Sequence, residues 1–474
     1  MDLKKYSLIL LTLAAMACSH SQNKENLPTS KSDDAKVGFK LRDFKTDEWP
    51  NGLQVVYIED HSLPSVGFGL LFKDGGASDP MTKSGQMELM SQVMVRGTTK
   101  MNASQLADAL GFLGTDIIHE VTDDYMWIQL EGLTPHSGKL LDLFSDVVLH
   151  PRFDPREVKH EKDTLVAAIK QRPDHPDQFA DQAFDAYLYG GHPYARPVAG
   201  IERDVNSLSR KDLLKSYLRH VRPNNAVLVV TGDYTPELIG ALKEKFGNWN
   251  KSNLDEKNFP MPPDFKGVNI RVIDKPDLTQ SQIIIGNLGI KRSDPDYLPL
   301  RIANIILGGN FSSRLMERVR VALGLTYGIN SSFDAHLDRG PFEITTFTKN
   351  KSVGMTIDES LKVLRKFYSG GVTNDEVEAS KNFLMGAFPR AIETSERLGF
   401  NLALLRLYGI SDDYLRNFVS NVNGITVANV NDAIKRHLNV NDLKILVLTK
   451  TSESLDQVRP LGLMEDVKKF NEAF

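Results

Sequence analysis

The chain has 474 residues, a length that favours two to four domains over a single core. Hydrophobic residues make up 41% and charged residues 25%, as in ordinary soluble globular proteins, and the net charge of −4 provides no electrostatic basis for nucleic-acid binding. A single cysteine excludes an intramolecular disulfide and any metal site built from several cysteines.

The N-terminal residues have the pattern of a secretory signal. Lys4 and Lys5 precede the apolar run 7–17, which ends in small residues and is too short to cross a bilayer as a helix. Cys18 follows directly, and the junction resembles a bacterial lipoprotein signal, although Ala15 stands where leucine is usual. The resemblance implies cleavage before Cys18 and lipidation of its thiol. A simple cleaved signal followed by an incidental cysteine is the alternative.

The segment after the cysteine is a predicted tether. Ser19 directly after Cys18 implies sorting to the outer membrane of a Gram-negative cell. Residues 19–36 are polar and lack aromatic side chains, so we expect them to be disordered. No other segment is long and apolar enough to cross a membrane. These features predict a signal at 1–17, a lipidated cysteine and tether at 18–36, and a soluble body held on the periplasmic side.

The first globular stretch, 37–250, alternates predicted strands and helices. Apolar and β-branched runs predict the strands, which we place at 53–58, 65–72, 125–131 and 225–233. Helical spacing of apolar residues predicts helices at 81–95, from 102 onward, at 137–148 and at 155–170. Asp154 is the expected N-cap of the last of these helices, because its side chain can accept from unpaired backbone N–H groups.

The second half repeats this series after a linker at 251–267 that is rich in Asn, Asp, Lys and Pro. We expect strands at 269–274, 281–286, 342–348 and, as the last strand, 443–448. Helices are expected at 298–307, 312–322, 356–368 and 374–387, with Thr373 or Asn374 as the N-cap of the last. The sequence therefore predicts two homologous α/β domains, at 37–250 and 268–474.

A search for catalytic motifs finds no intact one. The eleven histidines include no H-E-x-x-H, H-x-x-E-H or H-x-H, and the sequence has no G-x-S-x-G elbow and no P-loop. His119–Glu120 and His160–Glu161 each lack the second histidine of a metal motif.

Residues 85–98 nevertheless resemble the G-x-x-H-x-x-E-H-x-x-x-x-G-T motif of the insulinase, pitrilysin and mitochondrial processing peptidase family, a group of inverzincins. Glu88 stands at the first histidine position, Ser91 at the catalytic glutamate and Gln92 at the second histidine. The third ligand position falls on Ala168, while Glu161 matches a second acidic residue often present in the family.

Other segments support this register across nearly all of residues 45–450; they are 191–200, 222–225, 230–233 and 307–315. The family's fold has two homologous domains, each a mostly antiparallel sheet packed with helices, and the resemblance implies that fold here. Because zinc in such sites needs three protein donors and a water, it also implies that this chain holds no zinc and cleaves no peptide alone.

Arg320 and Tyr327 match an Arg/Tyr pair that, in the family, binds the substrate carbonyl and the developing oxyanion. Arg is a permanent cation and a Tyr hydroxyl can donate to an oxyanion, so both residue types suit that role. The alternative is that Tyr327 packs at a helix-to-strand turn and Arg320 is an ordinary surface cation.

Some family members work as heterodimers in which one subunit carries the zinc motif and the other supplies the Arg/Tyr pair. The resemblance implies a subunit of the second kind, whose partners are a zinc-containing homologue and unfolded peptides, with zinc only in that homologue and with the membrane reached only through the lipid anchor. A non-enzymatic envelope protein that binds peptides or has an architectural role is the main alternative. An active metalloendopeptidase with atypical ligands is a third.

Overall fold

The structure, a computed structural model, describes residues 41–254 and 257–472. The predictions for the signal, for Cys18 and for the tether lie outside these ranges. None of the helices in the described ranges is long and apolar enough to span a membrane. The chain from Leu41 to Phe474 forms one compact unit, so the domain limits 37–250 and 268–474 stay predictions.

A six-stranded sheet forms from the first half of the chain. Its strands are β1 (Lys45–Glu48), β2 (Gln54–Glu59), β3 (Ser65–Phe72), β4 (Ile117–Val121), β5 (Met126–Leu133) and β6 (Ala226–Gly232). Their spatial order is β1-β2-β6-β3-β5-β4, and only β2 and β6 run parallel. The central strand β6 is buried along its whole length, whereas β4 is an outer strand with one open edge.

Helices of the first half surround this sheet. They are α1 (Gln86–Met94), α2 (Ala103–Phe112), α3 (Ser137–Leu149), α4 (Pro155–Gln171), α5 (Pro176–Tyr189), α6 (Glu202–Ser207), α7 (Arg210–His220) and α8 (Pro236–Gly247). Capping fixes several of their first residues. Asn102 and Gln105 form a reciprocal capping box at α2, and the Asp154 side chain accepts from the Arg156 backbone N–H at α4, as predicted.

A second six-stranded sheet forms from the second half. Its strands are β7 (Val268–Asp274), β8 (Gln280–Leu288), β9 (Ile329–Phe333), β10 (Pro341–Lys349), β11 (Leu443–Thr449) and β12 (Leu463–Lys469). In the order β12-β7-β11-β8-β10-β9, the last five strands repeat the order β2-β6-β3-β5-β4 of the first sheet, and β12 occupies the edge position that β1 has there but runs parallel to its neighbour. Most neighbouring strands of both sheets are antiparallel, so the predicted fold class is confirmed.

The helices of the second half are α9 (Tyr297–Asn304), α10 (Val353–Gly370), α11 (Asn374–Ala391), α12 (Ser395–Leu407), α13 (Asp413–Arg416), α14 (Phe418–Asn423), α15 (Val427–His437) and α16 (Thr451–Val458). Thr373 and Glu376 form the capping box of α11, which settles the choice left open in the sequence. Ile305–Gly309 and Met316–Ala322 continue two helical segments in the wider π form.

Each half sends one helix onto the sheet of the other half. Helix α12 lies on β2, β3 and β6, and a Cβ added to its Gly399 would meet the Val229 side chain at 2.3 Å. Helix α5 lies on β8 and β11, where Phe184 is fully buried and the backbone carbonyl of Tyr187 accepts from the Lys444 ammonium at 2.6 Å. This exchange explains why the two sheets belong to one compact unit.

Three sequence predictions differ from the structure. The segment 443–448 is not the last strand, because β12 follows it with a strictly alternating, partly exposed pattern that carries charged residues. The helix predicted at 81–95 begins only at Gln86, since residues before it form turns that end at Gly85. The strands β1, β4 and β9 were not predicted, because they are short and contain too many polar residues to give an apolar pattern.

Candidate functional site

Helix α1 carries the residues at the zinc-motif positions, and its first turn is held from outside. Gly85 precedes the helix with φ of 87°, a left-handed conformation that favours glycine. The buried Asp79 carboxylate accepts from the backbone N–H groups of Gln86 and Met87, both at 2.9 Å. Burial raises the pKa of Asp79 to about 7 despite these two donors. The start of α1 is therefore fixed, and with it the direction of the motif side chains.

The three motif residues of α1 bond to one another. The Gln92 amide donates to the Glu88 carboxylate at 2.7 Å, and the Ser91 hydroxyl donates to the Glu88 backbone carbonyl at 2.8 Å. Ser91 is fully buried, and the side-chain oxygen of Gln92 is buried without a hydrogen-bond partner among the described residues. Burial raises the pKa of Glu88, while the bond from Gln92 opposes this rise. Residues that sequence reasoning aligned thus form a closed polar cluster on one helical face.

His119 on β4 joins this cluster, and the sequence did not single it out as a site residue. Its Nδ1 lies 3.3 Å from the Ser91 hydroxyl. Burial lowers the pKa of His119, and the positive charge of Arg96 acts in the same direction. The signal was present in the alternation of β4, where Ile117, His119 and Val121 face the helices, but the strand was too short and polar to predict.

Glu161 and Ala168 lie on α4, which packs against α1. Glu161 is buried, and its carboxylate accepts from the Arg96 guanidinium at 2.7 Å, so its charge is neutralised within the chain. Ala168 is exposed and offers only a methyl group. The third ligand position therefore has no donor atom, as the sequence register indicates.

These residues do not fit a zinc ion. The Gln92 amide donates a hydrogen bond to the one carboxylate of the motif, and Ala168 has no ligand atom. A zinc site requires three convergent protein ligands. Among the described residues, the single group of three potential ligands whose atoms lie within 4.8 Å of one another is Asp294, Asp296 and His437, elsewhere in the chain. There Arg436 already binds both oxygens of Asp296.

Arg320 and Tyr327 flank a helix-to-strand turn in the second half. Arg320 lies in the wide helical segment Met316–Ala322, and its guanidinium carbon is 5.1 Å from the centre of the Phe311 ring. Tyr327 is 79% exposed, so it does not pack into the turn. Thr326 holds that turn, because its hydroxyl donates to the Gly328 carbonyl and accepts from the Gly328 N–H. Tyr327 is therefore presented to solvent from a fixed backbone, while Arg320 is half-buried beside the Phe311 ring.

The structure does not join the two sets of site residues. In the described ranges, no hydrogen bond or ion pair links Arg320 or Tyr327 to Glu88, Ser91 or Gln92. Arg320 has no carboxylate partner in those ranges either, which distinguishes it from nearby Arg314 and Arg318 with their glutamate partners. One chain thus presents a closed motif cluster and, separately, an arginine without a carboxylate partner among the described residues and an exposed phenol seven residues later.

Two family profiles match this chain. The one described as Insulinase (Peptidase family M16) matches residues 54–202, which include α1 and α4, and the one described as Peptidase M16 inactive domain matches residues 207–384. The relatives have mixed names. The "Uncharacterized zinc protease YmxG" of Bacillus subtilis is 25% identical and covers 84% of this chain and 96% of its own length. The "Non-peptidase homolog YmxG" of Helicobacter pylori is also 25% identical and covers 83% and 91%.

Solved structures agree in fold. The crystal structure of a peptidase M16 inactive domain from Pseudomonas fluorescens superposes with a TM-score of 0.81 at 26% identity, over 87% of this chain and 99% of that one. A protease from Helicobacter pylori superposes with a TM-score of 0.76 at 19% identity, which supports the fold alone. With its paired six-stranded sheets and a motif helix that forms no zinc site, the chain belongs to the insulinase (M16) peptidase family as an inactive-type homologue.

Proposed function

We propose that this chain is catalytically silent and serves as the non-catalytic subunit of a heterodimeric zinc peptidase. The observation that carries the proposal is the contrast between the two sets of site residues. The Gln92 amide is bonded to the Glu88 carboxylate, whereas Tyr327 is exposed and the half-buried Arg320 has no carboxylate partner among the described residues.

The motif helix cannot supply the chemistry of peptide hydrolysis. A general base must take a proton from water, and the aligned position holds Ser91, a neutral hydroxyl that is already bonded to the Glu88 carbonyl. His119 is the nearest alternative base, but it is half-buried against Ser91 and no metal ligands converge beside it among the described residues. A role in binding fits these residues better than a role in bond cleavage.

Arg320 and Tyr327 suit a contribution in trans. A fixed cation and a phenolic donor on a rigid turn can stabilise charge that develops on a substrate carbonyl held by another subunit. The exposure of Tyr327 and the location of Arg320 over the Phe311 ring leave both donors free to reach a bound peptide. The zinc would be held by the partner, a homologue with an intact H-x-x-E-H.

The unfolded peptide would bind as an added strand. Strand β4 ends the first sheet, and its outer edge is unpaired in the described part of the chain. Main-chain hydrogen bonds at such an edge give affinity with little demand on sequence. This edge lies next to the motif helix, since His119 of β4 contacts Ser91 of α1.

The decisive experiment mixes the purified chain with a zinc-motif homologue from the same cell. We expect the chain alone to contain no stoichiometric zinc by mass spectrometry and to cleave no quenched fluorescent peptide. The homologue should gain peptidase activity in its presence. Chelator-sensitive activity of the chain alone, or no gain on mixing with co-purifying homologues, contradicts the proposal.

Two substitutions test whether Arg320 and Tyr327 contribute to the joint peptidase activity. Arg320→Ala should lower the joint kcat/KM by about 10²–10³-fold, the range for loss of one oxyanion donor, and Tyr327→Phe should lower it without weakening subunit association. Arg365→Ala is the matched control, because Arg365 is an exposed arginine on α10 with no ion pair among the described residues. Equal effects of Arg320→Ala and Arg365→Ala would argue against a specific role.

We also propose that the mature chain is anchored by lipid on Cys18 at the periplasmic side of the outer membrane. The support is the signal-like N-terminus with its one cysteine. Mass spectrometry of the mature N-terminus should find acylated Cys18, and Cys18→Ser should release the chain from membranes. An unmodified Cys18 in membrane fractions contradicts this anchor.

A further inference from the structure

A cavity of about 330 Å³ lies among the helices of the second half, where α9, α11 and α12 meet α13 and α14. We call it the arginine cavity and define it by Arg292, Tyr297, Arg301 and Tyr414 together with the apolar side chains of α11 and α12. None of its lining residues belongs to either set of site residues described above. Its volume is at the lower end of the range of about 300–1,000 Å³ that is usual for ligand sites.

Two helices each contribute one face to the apolar wall of the cavity. The lining residues of α11 recur at i, i+3, i+4 and i+7, and so do those of α12, which is the spacing of a single helical face. They are Leu384, Ala387, Phe388 and Ala391 on α11, and Asn401, Leu404, Leu405 and Tyr408 on and directly after α12. The amide of Asn401 already donates to the backbone carbonyls of Ala391 and Arg397. The wall therefore offers a ligand mainly apolar contact.

Two arginines line the cavity at α9. Tyr297 and Arg301 lie one turn apart on this helix, and Arg292 precedes it. The guanidinium carbon of Arg292 is 3.8 Å from the centre of the Tyr297 ring and 4.9 Å from the centre of the Tyr414 ring. The guanidinium carbon of Arg301 is 5.8 Å from the centre of the Tyr297 ring. One aromatic ring thus helps to position both cations.

These two arginines have no carboxylate partner among the described residues, and no aspartate or glutamate of the described ranges lines the cavity. The carboxylates next in sequence are engaged elsewhere, since Arg436 binds both oxygens of Asp296 and His437 lies near both Asp294 and Asp296. Apart from the guanidinium above its ring, the buried Tyr414 hydroxyl has no hydrogen-bond partner in those ranges. An anion would balance the charge of the cavity and satisfy this hydroxyl.

A second, more open cleft of about 530 Å³ adjoins the arginine cavity. Arg292, Tyr297 and Tyr414 line both spaces, so these three side chains form the boundary between them. All three are half-buried, which leaves part of the boundary in contact with solvent. A ligand that enters from the open cleft would place its apolar body against α11 and α12 and its charged group at the arginines.

We infer that the arginine cavity binds a small organic carboxylate that carries an apolar chain. A guanidinium presents parallel donors that match the two oxygens of a carboxylate, and the charges strengthen these bonds. The apolar wall binds the chain by removing its surface from water. A carboxylate is favoured over a phosphate, because bringing a second negative charge into a largely apolar space costs more solvation free energy. The inference does not depend on the proposed partnership with a zinc peptidase.

Calorimetric titration of the purified full chain at low salt tests the inference with three ligands. Octanoate has both the charge and the chain, 1-octanol has the chain alone, and acetate has the charge alone. We expect octanoate to bind at least about tenfold more tightly than 1-octanol, the contribution of one charge-assisted contact. Acetate should bind at least about a hundredfold more weakly than octanoate, because it lacks the methylene groups that the wall would bury. Octyl phosphate should bind more weakly than octanoate, and tighter binding overturns the carboxylate class.

The double substitution Arg292→Gln with Arg301→Gln should reduce the preference for octanoate over 1-octanol to less than about twofold, while 1-octanol still binds. Arg365→Gln is the matched control, because Arg365 is an exposed arginine of α10 outside the cavity, and it should keep the full preference. Ala387→Phe should abolish binding of both ligands, since Ala387 is an exposed residue of α11 whose enlarged side chain would fill the cavity. Thermal unfolding without ligand checks that each variant is folded.

The comparison of the ligands on the unmodified chain needs no variant, so it decides even where a variant does not fold. A preference for octanoate that the double variant loses and the control keeps supports the inference. Equal binding of octanoate and 1-octanol, or no binding of octanoate at about 10 mM, overturns it. Octanoate binding that survives in folded Ala387→Phe also overturns it, because the ligand would then bind elsewhere on the chain.

Discussion

The amide of Gln92 donates to the carboxylate of Glu88 at 2.7 Å, one turn apart on the helix where the family's zinc ligands would stand. This bond satisfies the one acidic group of the motif with a neutral partner. It joins the two aligned ligand positions as a closed pair, in which the half-buried Glu88 carboxylate is bonded to a neutral amide.

Rebuilding the ligand set tests this interpretation. A variant with Glu88→His, Gln92→His and Ala168→Glu should bind about one zinc ion per chain, since it restores three donors on the facing helices α1 and α4. The added Ser91→Glu should be needed for any hydrolysis, because it restores the base. Metal content after gel filtration is the measurement, and Gln92→His alone should stay free of zinc.

Failure of the rebuilt variant to bind zinc, although circular dichroism shows it folded, would mean that the register assigned to Ala168 is wrong. Stoichiometric zinc in the unmodified chain would contradict the closed-pair interpretation directly.

Because α5 and α12 each pack on the sheet of the opposite half, we expect one core side chain of α5 to contribute strongly to the free energy of unfolding. Phe184 of α5 is fully buried against the second sheet, and its ring would lie 3.1 Å from a Cβ added to Gly286 of β8. Phe184→Ala should lower the free energy of unfolding by about 3–5 kcal/mol through lost burial and the cavity left behind. Urea unfolding followed by tryptophan fluorescence measures it.

Phe112→Ala is the matched control, since Phe112 is 78% exposed at the end of α2. Its effect should stay within about 0.5 kcal/mol, as for ordinary surface changes. Comparable losses in the two variants would show that α5 does not carry the connection between the halves.

Because the Phe311 ring contacts Arg320, we expect a change at Phe311 to lower the joint peptidase activity less than a change at Arg320 itself. Phe311 is exposed and Arg320 is half-buried, and the cation–π contact at 5.1 Å orients the guanidinium without neutralising it. Phe311→Leu should therefore reduce the joint peptidase activity by less than Arg320→Ala does, and it should leave the unfolding midpoint unchanged. Initial rates at saturating subunit ratios are the measurement, and an effect of Phe311→Leu as large as that of Arg320→Ala contradicts this order.

Much of the fold was accessible from periodicity and capping. Leu106 and Leu110 mark the buried face of α2, and Asn102, Asp154 and Thr373 start helices because their side chains accept from the first-turn N–H groups. The strands β6 and β11 read as continuous apolar runs because both of their faces are covered.

Other features depend on contacts between residues distant in the chain. Nothing in residues 395–407 indicates that α12 lies on the sheet of the opposite half, and tertiary contacts such as that of Gly399 with Val229 reveal it. The pairing of His119 with Ser91 likewise needs the tertiary structure. The motif positions could be predicted because an alignment needs only the order of residues, whereas their hydrogen bonds depend on the tertiary structure.

A buried group of carboxyls predicts how stability depends on pH. Burial raises the pKa of Asp123 to about 7, and burial and repulsion from neighbouring carboxylates raise the pKa of Asp185 and of Glu343 above their ordinary values. The other charged groups that act on one or more of these three carboxyls are Asp124, Asp181, Arg196, Asp334 and His336. In the unfolded chain, aspartate and glutamate lose their protons near pH 4, so the native state binds more protons than the unfolded state above that pH.

This difference in bound protons sets the direction in which stability changes with pH. Stability falls as pH rises through the native pKa values, by up to about 1.4 kcal/mol per pH unit for each carboxyl that keeps its proton. Although burial opposes it, the bond to Asp124 raises the pKa of His336, so stability that His336 contributes is also lost as pH rises. Burial lowers the pKa of His119 and His192, but their contribution is complete above about pH 6.5, the ordinary histidine value.

From about pH 6.5 to 8 the raised pKa values of the carboxyls and of His336 both make stability fall as pH rises, and Glu343→Gln separates the part that belongs to the carboxyls. Urea unfolding across this window should show a falling free energy of unfolding, and Glu343→Gln should flatten the decline because it removes one titrating group and one source of repulsion for Asp185. Glu244→Gln, an exposed glutamate on α8, should leave the slope unchanged. A free energy that is constant or rises over this window, or a slope that Glu343→Gln does not alter, would show that these carboxyls are ionised in the native protein.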